Sequence, residues 1–230
     1  GDVYKRQTYH GANRLGANSL LSGSVDGWFT LPFTIPNYLG PLLGTDRLAE
    51  DAPEAKEALD RAQARLDKLM SIQGKHGAEY FHRQLGEILY RDCGVARNKE
   101  DLARGIEEIR ELRKAFWSDL FIPGEPNEMN QQLEYANRVA DYIDLGELMC
   151  VDALDRDESC GAHYRDDHIS EDGEAERDDA NWCFVSAWER GNNGPAWDLS
   201  GHEFIRHAEP LTFEAVPLMT CLLYTSDAAD

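Results

Sequence analysis

Four stretches between residues 54 and 148 repeat apolar side chains at helical spacing, and nothing else in the chain restricts its fold as tightly. Glu54 to Ser71 carries Ala58, Leu59, Ala62, Leu66 and Leu69 on one face. Ala78 to Arg91 groups Phe81, Leu85, Ile88 and Leu89. A third helix starts at the N-cap Asn98, with Asp101 three residues on as a shorter relative of the capping-box acid. It presents Leu102, Ile106, Ile109, Leu112, Phe116 and Trp117 and is expected to end at Pro123-Gly124. The fourth is expected to open at Asn127, with Leu133, Ala136, Val139, Ala140, Ile143 and Leu148 inward. One-sided helices must bury their stripes against one another, so this region predicts a helical bundle. Leu66, Leu85, Ile109, Leu112, Val139 and Ile143 are its expected core.

The flanks differ. Asn18 to Thr30 predicts a helix with Leu20, Leu21 and Val25 on one side, broken or kinked at Pro32, with Pro36 and Pro41 as further breaks beyond it. Gly40 to Pro53 reads as a connector. Asn181 to Glu189 and Glu209 to Val216 alternate like strands and predict a hairpin across the loop Gly191 to His207. Gly1 to Gln7 and Cys221 to Asp230 have unrelated compositions and resemble translated adapter sequence, so both are set aside from fold reasoning.

Acidic residues outnumber basic ones 43 to 23, for a formal charge of −20. A nucleic-acid partner would need a basic footprint, so none is expected, and direct binding to an anionic membrane surface is disfavoured. No apolar run reaches the roughly 18 residues a membrane span needs. Five scattered cysteines read as reduced thiols. Cys150, Cys160, His163, His168 and Cys183 are possible metal-ligand types, but they lack paired C-x₂-C spacing, and no metal is expected. Asp166-Asp167 and the run Glu171 to Asp179 read as a solvated loop, without the residue order of a calcium-binding loop.

The run His10-Gly11-Ala12-Asn13-Arg14-Leu15-Gly16-Ala17-Asn18-Ser19-Leu20-Leu21 leads from a glycine-containing loop into a helix start. Free N–H groups there suit an anion or an electron-rich ring, and Arg14 offers a fork for a carboxylate. The residues alone leave open a glycine-rich turn with a solvated arginine. The run resembles the HGANRLGxNSLL signature of the succinate dehydrogenase/fumarate reductase flavoprotein family. The resemblance implies that Arg14 binds a substrate carboxylate and that Ser19 and Leu20 contact FAD. L-aspartate oxidase shares the scaffold but usually reads RLASNSLLE, and Gly16-Ala17 favours the succinate/fumarate branch. Trp28 to Leu39 and the pieces Phe81 to Gly86, Cys93 to Asn98 and Leu145 to Leu154 are similar to a bacterial, typically menaquinone-linked, branch.

A second motif, Arg156-Asp157-Glu158-Ser159-Cys160-Gly161-Ala162-His163-Tyr164-Arg165, resembles the family's RxESRGAHxR, with Cys160 where Arg is commonest. Glu158 and Arg165 are expected to pair across the turn, with His163 donating to backbone. The motif is expected to dock the helical domain onto the flavin domain.

The fold these readings imply is mainly α. The C-terminal remnant of an FAD-binding α/β domain (8–45) precedes a helical bundle (46–155) and a short β-containing tail (156–220). The resemblance implies a chain that interconverts succinate and fumarate with FAD. It would pass electrons to or from an iron–sulfur subunit and, through it, a membrane-anchor subunit, at the cytoplasmic face of the cell membrane. It also implies that most of the FAD site and the catalytic proton donor precede Thr8, so this stretch alone would be inactive. A non-catalytic acidic helical interaction module is the alternative from another class.

Overall fold

The structure is a computed structural model that describes residues 18–25, 27–28, 31–45, 49, 51–125, 129–191, 194–195, 197–198 and 203–210. The chain divides into two compact units. The first comprises residues 1–48, 160–162 and 211–230, and the second comprises 49–159 and 163–210.

In the first unit, helix α1 is Asn18–Val25 and α2 is Leu31–Leu39. The sequence predicts one helix to Thr30 and a break at the prolines; instead α1 ends at Val25 and α2 runs through Pro36. Pro32 lies in the first turn of α2, where an N–H has no intrahelical acceptor to lose. Pro36 forfeits one internal bond, and the helix carries on for three residues beyond it. No residue of α2 is buried.

The second unit holds the bundle: α3 (Pro53–Ser71), α4 (Ala78–Asp92), α5 (Lys99–Asp119) and α6 (Gln131–Asp155). Its core gathers Leu69, Phe81, Leu85, Leu102, Ile109, Phe116, Val139 and Ile143, all essentially inaccessible. Leu66 and Leu112 are only partly buried against it. Phe81 and Phe116 meet edge to face with ring centres 5.3 Å apart, a favoured aromatic geometry. Gly146 lets α6 close on α4: a Cβ there would sit 2.9 Å from Leu85 Cδ1.

Helix α3 departs from its sequence reading. Ala58, Leu59 and Ala62 are exposed, Leu59 at 67%, and only the C-terminal half of the stripe reaches the core. That half is where α3 meets α6: Arg65 Nη2 donates to the Asn137 carbonyl at 3.0 Å and pairs with Asp141.

The caps explain the other boundaries. Asn98 Oδ1 accepts from Asp101 N at 2.9 Å, as the sequence predicts. Helix α6 is capped by Asn130, whose Oδ1 accepts from Gln132 N and Leu133 N at 3.0 and 3.1 Å; Asn127 lies outside the described residues. Helix α5 stops at Asp119, four residues short of Pro123, because Leu120 turns extended. There the Leu120 carbonyl accepts from Gly74 N, and Phe121 N donates to the His76 carbonyl.

Two short sheets complete the unit. Strands β1 (Ala96–Arg97) and β2 (Tyr164–Arg165) pair in parallel. After the single turn α7 (Asp179–Trp182), β3 (Phe184–Arg190) and β4 (Phe204–Pro210) form an antiparallel hairpin in the register Phe184↔Pro210 to Arg190↔Phe204. A hairpin forms, as expected, but its second strand lies earlier than the stretch Glu209 to Val216 read as strand, with Phe204 to His207 falling in the stretch read as loop; residues 211–216 are outside the described residues. Asp178 takes residues 179–182 into a helical turn by accepting from Asn181 N, which delays β3 to Phe184. The guanidiniums of Arg156 and Arg206 lie over the Trp182 ring, 5.8 and 5.7 Å from its centre. Trp188 Nε1 donates to Asp152 at 2.6 Å, and Arg206 pairs with Asp155 at 2.8 Å. These contacts fasten the hairpin to the C-terminal end of α6.

Candidate functional site

Of the residues singled out at the first motif, Arg14 lies outside the described residues. Ser19 belongs to the first turn of α1, and the Leu20 side chain is 80% exposed. The first turn of α1 carries no acidic residue, so its positive dipole end is not neutralised from within the helix.

The second motif is described in detail. It forms a polar hub where α6 ends and β2 returns to β1. Arg165 is fully buried, and its Nε and Nη2 each donate to Asp167, both at 2.7 Å. Its Nη1 reaches the Ala153 carbonyl at the end of α6 at 3.3 Å. Its backbone N donates to Ser159 Oγ, which donates in turn to the Arg165 carbonyl. Glu158, also buried, accepts from Arg156 at 2.7 Å and from Asp178 N at 2.8 Å.

The expected Glu158–Arg165 pair is therefore not formed. The two chains of contacts run apart, Arg165 to Asp167 and Glu158 to Arg156, because each charged group finds an oppositely charged neighbour two residues away. Asp167, read as part of a solvated loop, is instead the bidentate partner of a buried guanidinium. The hydrogen bonds from Arg165, and then the one from Lys99 N and the Arg165 charge, hold its carboxyl down at about 2. It also accepts from Lys99 N, tying the motif to the start of α5.

His163 behaves as expected toward backbone: Nε2 lies 2.9 Å from the Arg156 carbonyl. Its Nδ1 faces Arg97 Nη1 at 3.1 Å. Burial first, and then the charges of Arg97, Arg156 and Arg165, push its pKa below the ordinary histidine value. A neutral ring donating at Nε2 and accepting at Nδ1 satisfies both contacts. Sequence reasoning missed Arg97, Arg156 and Asp167 as partners. The signal was local for Arg156 and Asp167, each two residues from its mate, but Arg97 is brought in only by the β1–β2 pairing. Among the described residues, no group of three His, Cys, Asp or Glu comes together to hold a metal ion. Arg156 pairs with Glu158 and Arg165 with Asp167, and through the Ala153 carbonyl and Lys99 N this arrangement holds one loop to two helices.

Comparison with known proteins gives this geometry a family. The family model described as the fumarate reductase flavoprotein C-terminus matches residues 82–220. The chain belongs to that family. It is 29% identical over 175 residues to the succinate dehydrogenase flavoprotein subunit of Bacillus subtilis, and 33% identical over 181 residues to the fumarate reductase flavoprotein subunit of Proteus vulgaris. Each alignment covers 75% of this chain and 28% or 27% of the relative, so the chain spans little more than a quarter of the length of the curated relatives it matches. Among solved structures, a quinol-fumarate reductase with menaquinol molecules superposes with a TM-score of 0.70 at 25% identity, over 90% of this chain and 33% of that one. The family match thus spans most of α4, all of α5 and α6, the hub and the hairpin, and the mainly helical fold is the fold of this family's C-terminal part. Among the described residues no helix is long and apolar enough to cross a membrane.

Proposed function

We propose that this chain is part of a flavoprotein subunit that interconverts succinate and fumarate. The observation that carries the reading is the family match over residues 82–220 in a chain that also bears the His10–Leu21 signature. In this reading residues 8–45 end the FAD-binding domain and 46–155 form the helical domain. Arg14 grips one substrate carboxylate with two hydrogen bonds, holding the reacting carbon near the flavin, which is a proximity effect. Ser19 and Leu20 border the ring, where the open first turn of α1 and the accessible Leu20 suit it. FAD, when bound, accepts or supplies the hydride. The hub at 156–167 holds the loop leaving α6 in one arrangement.

Electrons would pass to an iron–sulfur subunit. With no span among the described helices, the chain would reach the cytoplasmic face of the membrane through that partner and a membrane anchor. The solved relatives named as quinol-fumarate reductase and Sdh complexes support such an assembly.

The test uses the complete flavoprotein, recovered with its upstream reading frame. Arg14→Ala is expected to lower succinate-dependent dye reduction by roughly 10²-fold or more, with partial recovery in Arg14→Lys. Unchanged kinetics in Arg14→Ala would contradict the assignment. A protein that purifies alone and reduces oxygen with aspartate would replace the reading with L-aspartate oxidase.

A further inference from the structure

Where β3 ends, the hairpin and two bundle helices bring charged side chains together. Arg113 of α5 is buried, its Nε donating to Asp144 of α6 at 2.9 Å and its Nη1 pairing with Glu147. Arg110 Nε donates to the same Glu147 at 2.8 Å. Arg190, the last residue of β3, approaches the carboxylate that Arg113 holds: its Nη1 lies 3.9 Å from Asp144 Oδ2, beyond hydrogen-bond reach. Three donor nitrogens are left over. Among the described residues, Arg113 Nη2 and Arg190 Nε and Nη2 are sealed from solvent and have no hydrogen-bond partner. Nε and Nη2 form one edge of a guanidinium, the fork that grips an anion with two parallel hydrogen bonds. On Arg190 that whole edge is unspent, and buried donors without acceptors are rare because each has given up its bonds to water. The charge balance points the same way. Arg110, Arg113 and Arg190 face two inner carboxylates, Asp144 and Glu147, while Glu107, the other acid on Arg110, is 70% exposed.

We propose that Arg113 and Arg190 hold a small monovalent anion of chloride size between α5 and the end of β3. The anion accepts from the Arg190 fork and from Arg113 Nη2, while Asp144 and Glu147 keep the N–H groups they already hold. Donors this enclosed favour an ion of one atom over a bulky oxyanion. Arg113 is fixed by two carboxylates; Arg190, whose side chain is 32% open, is the member that swings to admit the ion. Once bound, the ion offsets the repulsion between two guanidiniums that crowd one carboxylate. It straps the end of β3 to α5 and, through Asp144, to α6, beyond the contacts of Trp188 and Arg206 that fasten the rest of the hairpin.

The experiment melts the native 230-residue chain, followed by circular dichroism, in sodium chloride and in sodium gluconate at equal ionic strength. Sodium is common to both, so screening of the −20 chain is the same and only the anion differs. Chloride is expected to raise the midpoint saturably, by about 3 °C or more, because an ion held only by the folded state stabilises it. Arg190→Gln, which removes the fork, should melt at the same temperature in both salts. Equal midpoints for the unaltered chain, or a chloride increment kept in Arg190→Gln, would overturn the proposal. Bromide serves as the probe in a second measurement. Crystals of the chain grown in sodium bromide should show an anomalous peak in contact with Arg113 Nη2 and Arg190 Nε; a water or a side-chain oxygen in that place would overturn it. Should Arg190→Gln not fold, the chloride-against-gluconate comparison and the bromide peak, both on the unaltered chain, decide.

Discussion

Helix α2 and helix α5 are both rich in apolar residues, yet α2 buries none of them and α5 buries Leu102, Ile106, Ile109, Phe116 and Trp117. The difference lies in what surrounds those residues in sequence. In α5 the apolar positions recur on one face among charges, and α4 and α6 present matching stripes within the same unit. Residues 27–45 contain no charged side chain at all, so no face of α2 is marked as the wet one. A one-sided helix states where its partner must be. A helix apolar all round states only that much of its surface belongs against something.

This contrast can be broken by making one substitution in both places. Phe116→Ala is expected to cost about 3–5 kcal/mol of stability in urea denaturation, because it deletes a fully buried ring and its edge contact with Phe81. Phe33→Ala in α2, where the ring is exposed, should stay within about 0.5 kcal/mol in the same chain. Comparable costs would mean that α2 is packed as tightly as the bundle.

Removing one partner of a buried ion pair should approach the same scale. Glu147 on α6 is inaccessible and pairs with Arg113 and Arg110 of α5. Glu147→Ala leaves the buried Arg113 without that partner and is expected to cost about 3–5 kcal/mol, read from the same denaturation curves.

Smaller effects are expected in the hub and at the caps. The Asp167 carboxyl, held at about 2 by Arg165, lies below the ~3.9 of an aspartate in an unfolded chain. A depressed folded-state pKa contributes stability that is present above pH ~4 and is lost as pH falls toward 2. A third of this side chain is open to solvent, so screening reduces the contribution to about 1 kcal/mol. Asp167→Asn should flatten that part of the acid-stability profile measured by circular dichroism. Asn130→Ala should cost about 1 kcal/mol by stripping the cap from α6.

Periodicity made Leu85, Ile109, Val139 and Ile143 legible as core, and side-chain chemistry made the Asn98 cap legible, because both depend on residues a few positions apart. Leu59 failed because a stripe shows that a face is apolar, not how far along the helix its partner extends. Asn130 was missed for Asn127, since two nearby asparagines offer the same cap and the packing of α6 chooses between them. In the hub, His163 was read correctly from its preference for backbone, but Arg97 reaches it across 66 positions of sequence through a parallel strand pair that no local pattern announces. The first motif was legible only as a resemblance: its glycines, amides and single arginine allow a solvated turn as readily as a carboxylate clamp.

Hydrogen exchange on this chain, and on the complete flavoprotein, bears most directly on the contrast between the two units. Amides of α4, α5 and α6 are expected to exchange slowly in both, because their core is complete within 49–210. Amides of 18–45 are expected to exchange fast in this chain and to slow by at least tenfold in the complete protein with flavin bound. Strong protection of 18–45 in this chain alone, or no gain in the complete protein, would contradict the claim that the signature region belongs to a site the bundle does not build.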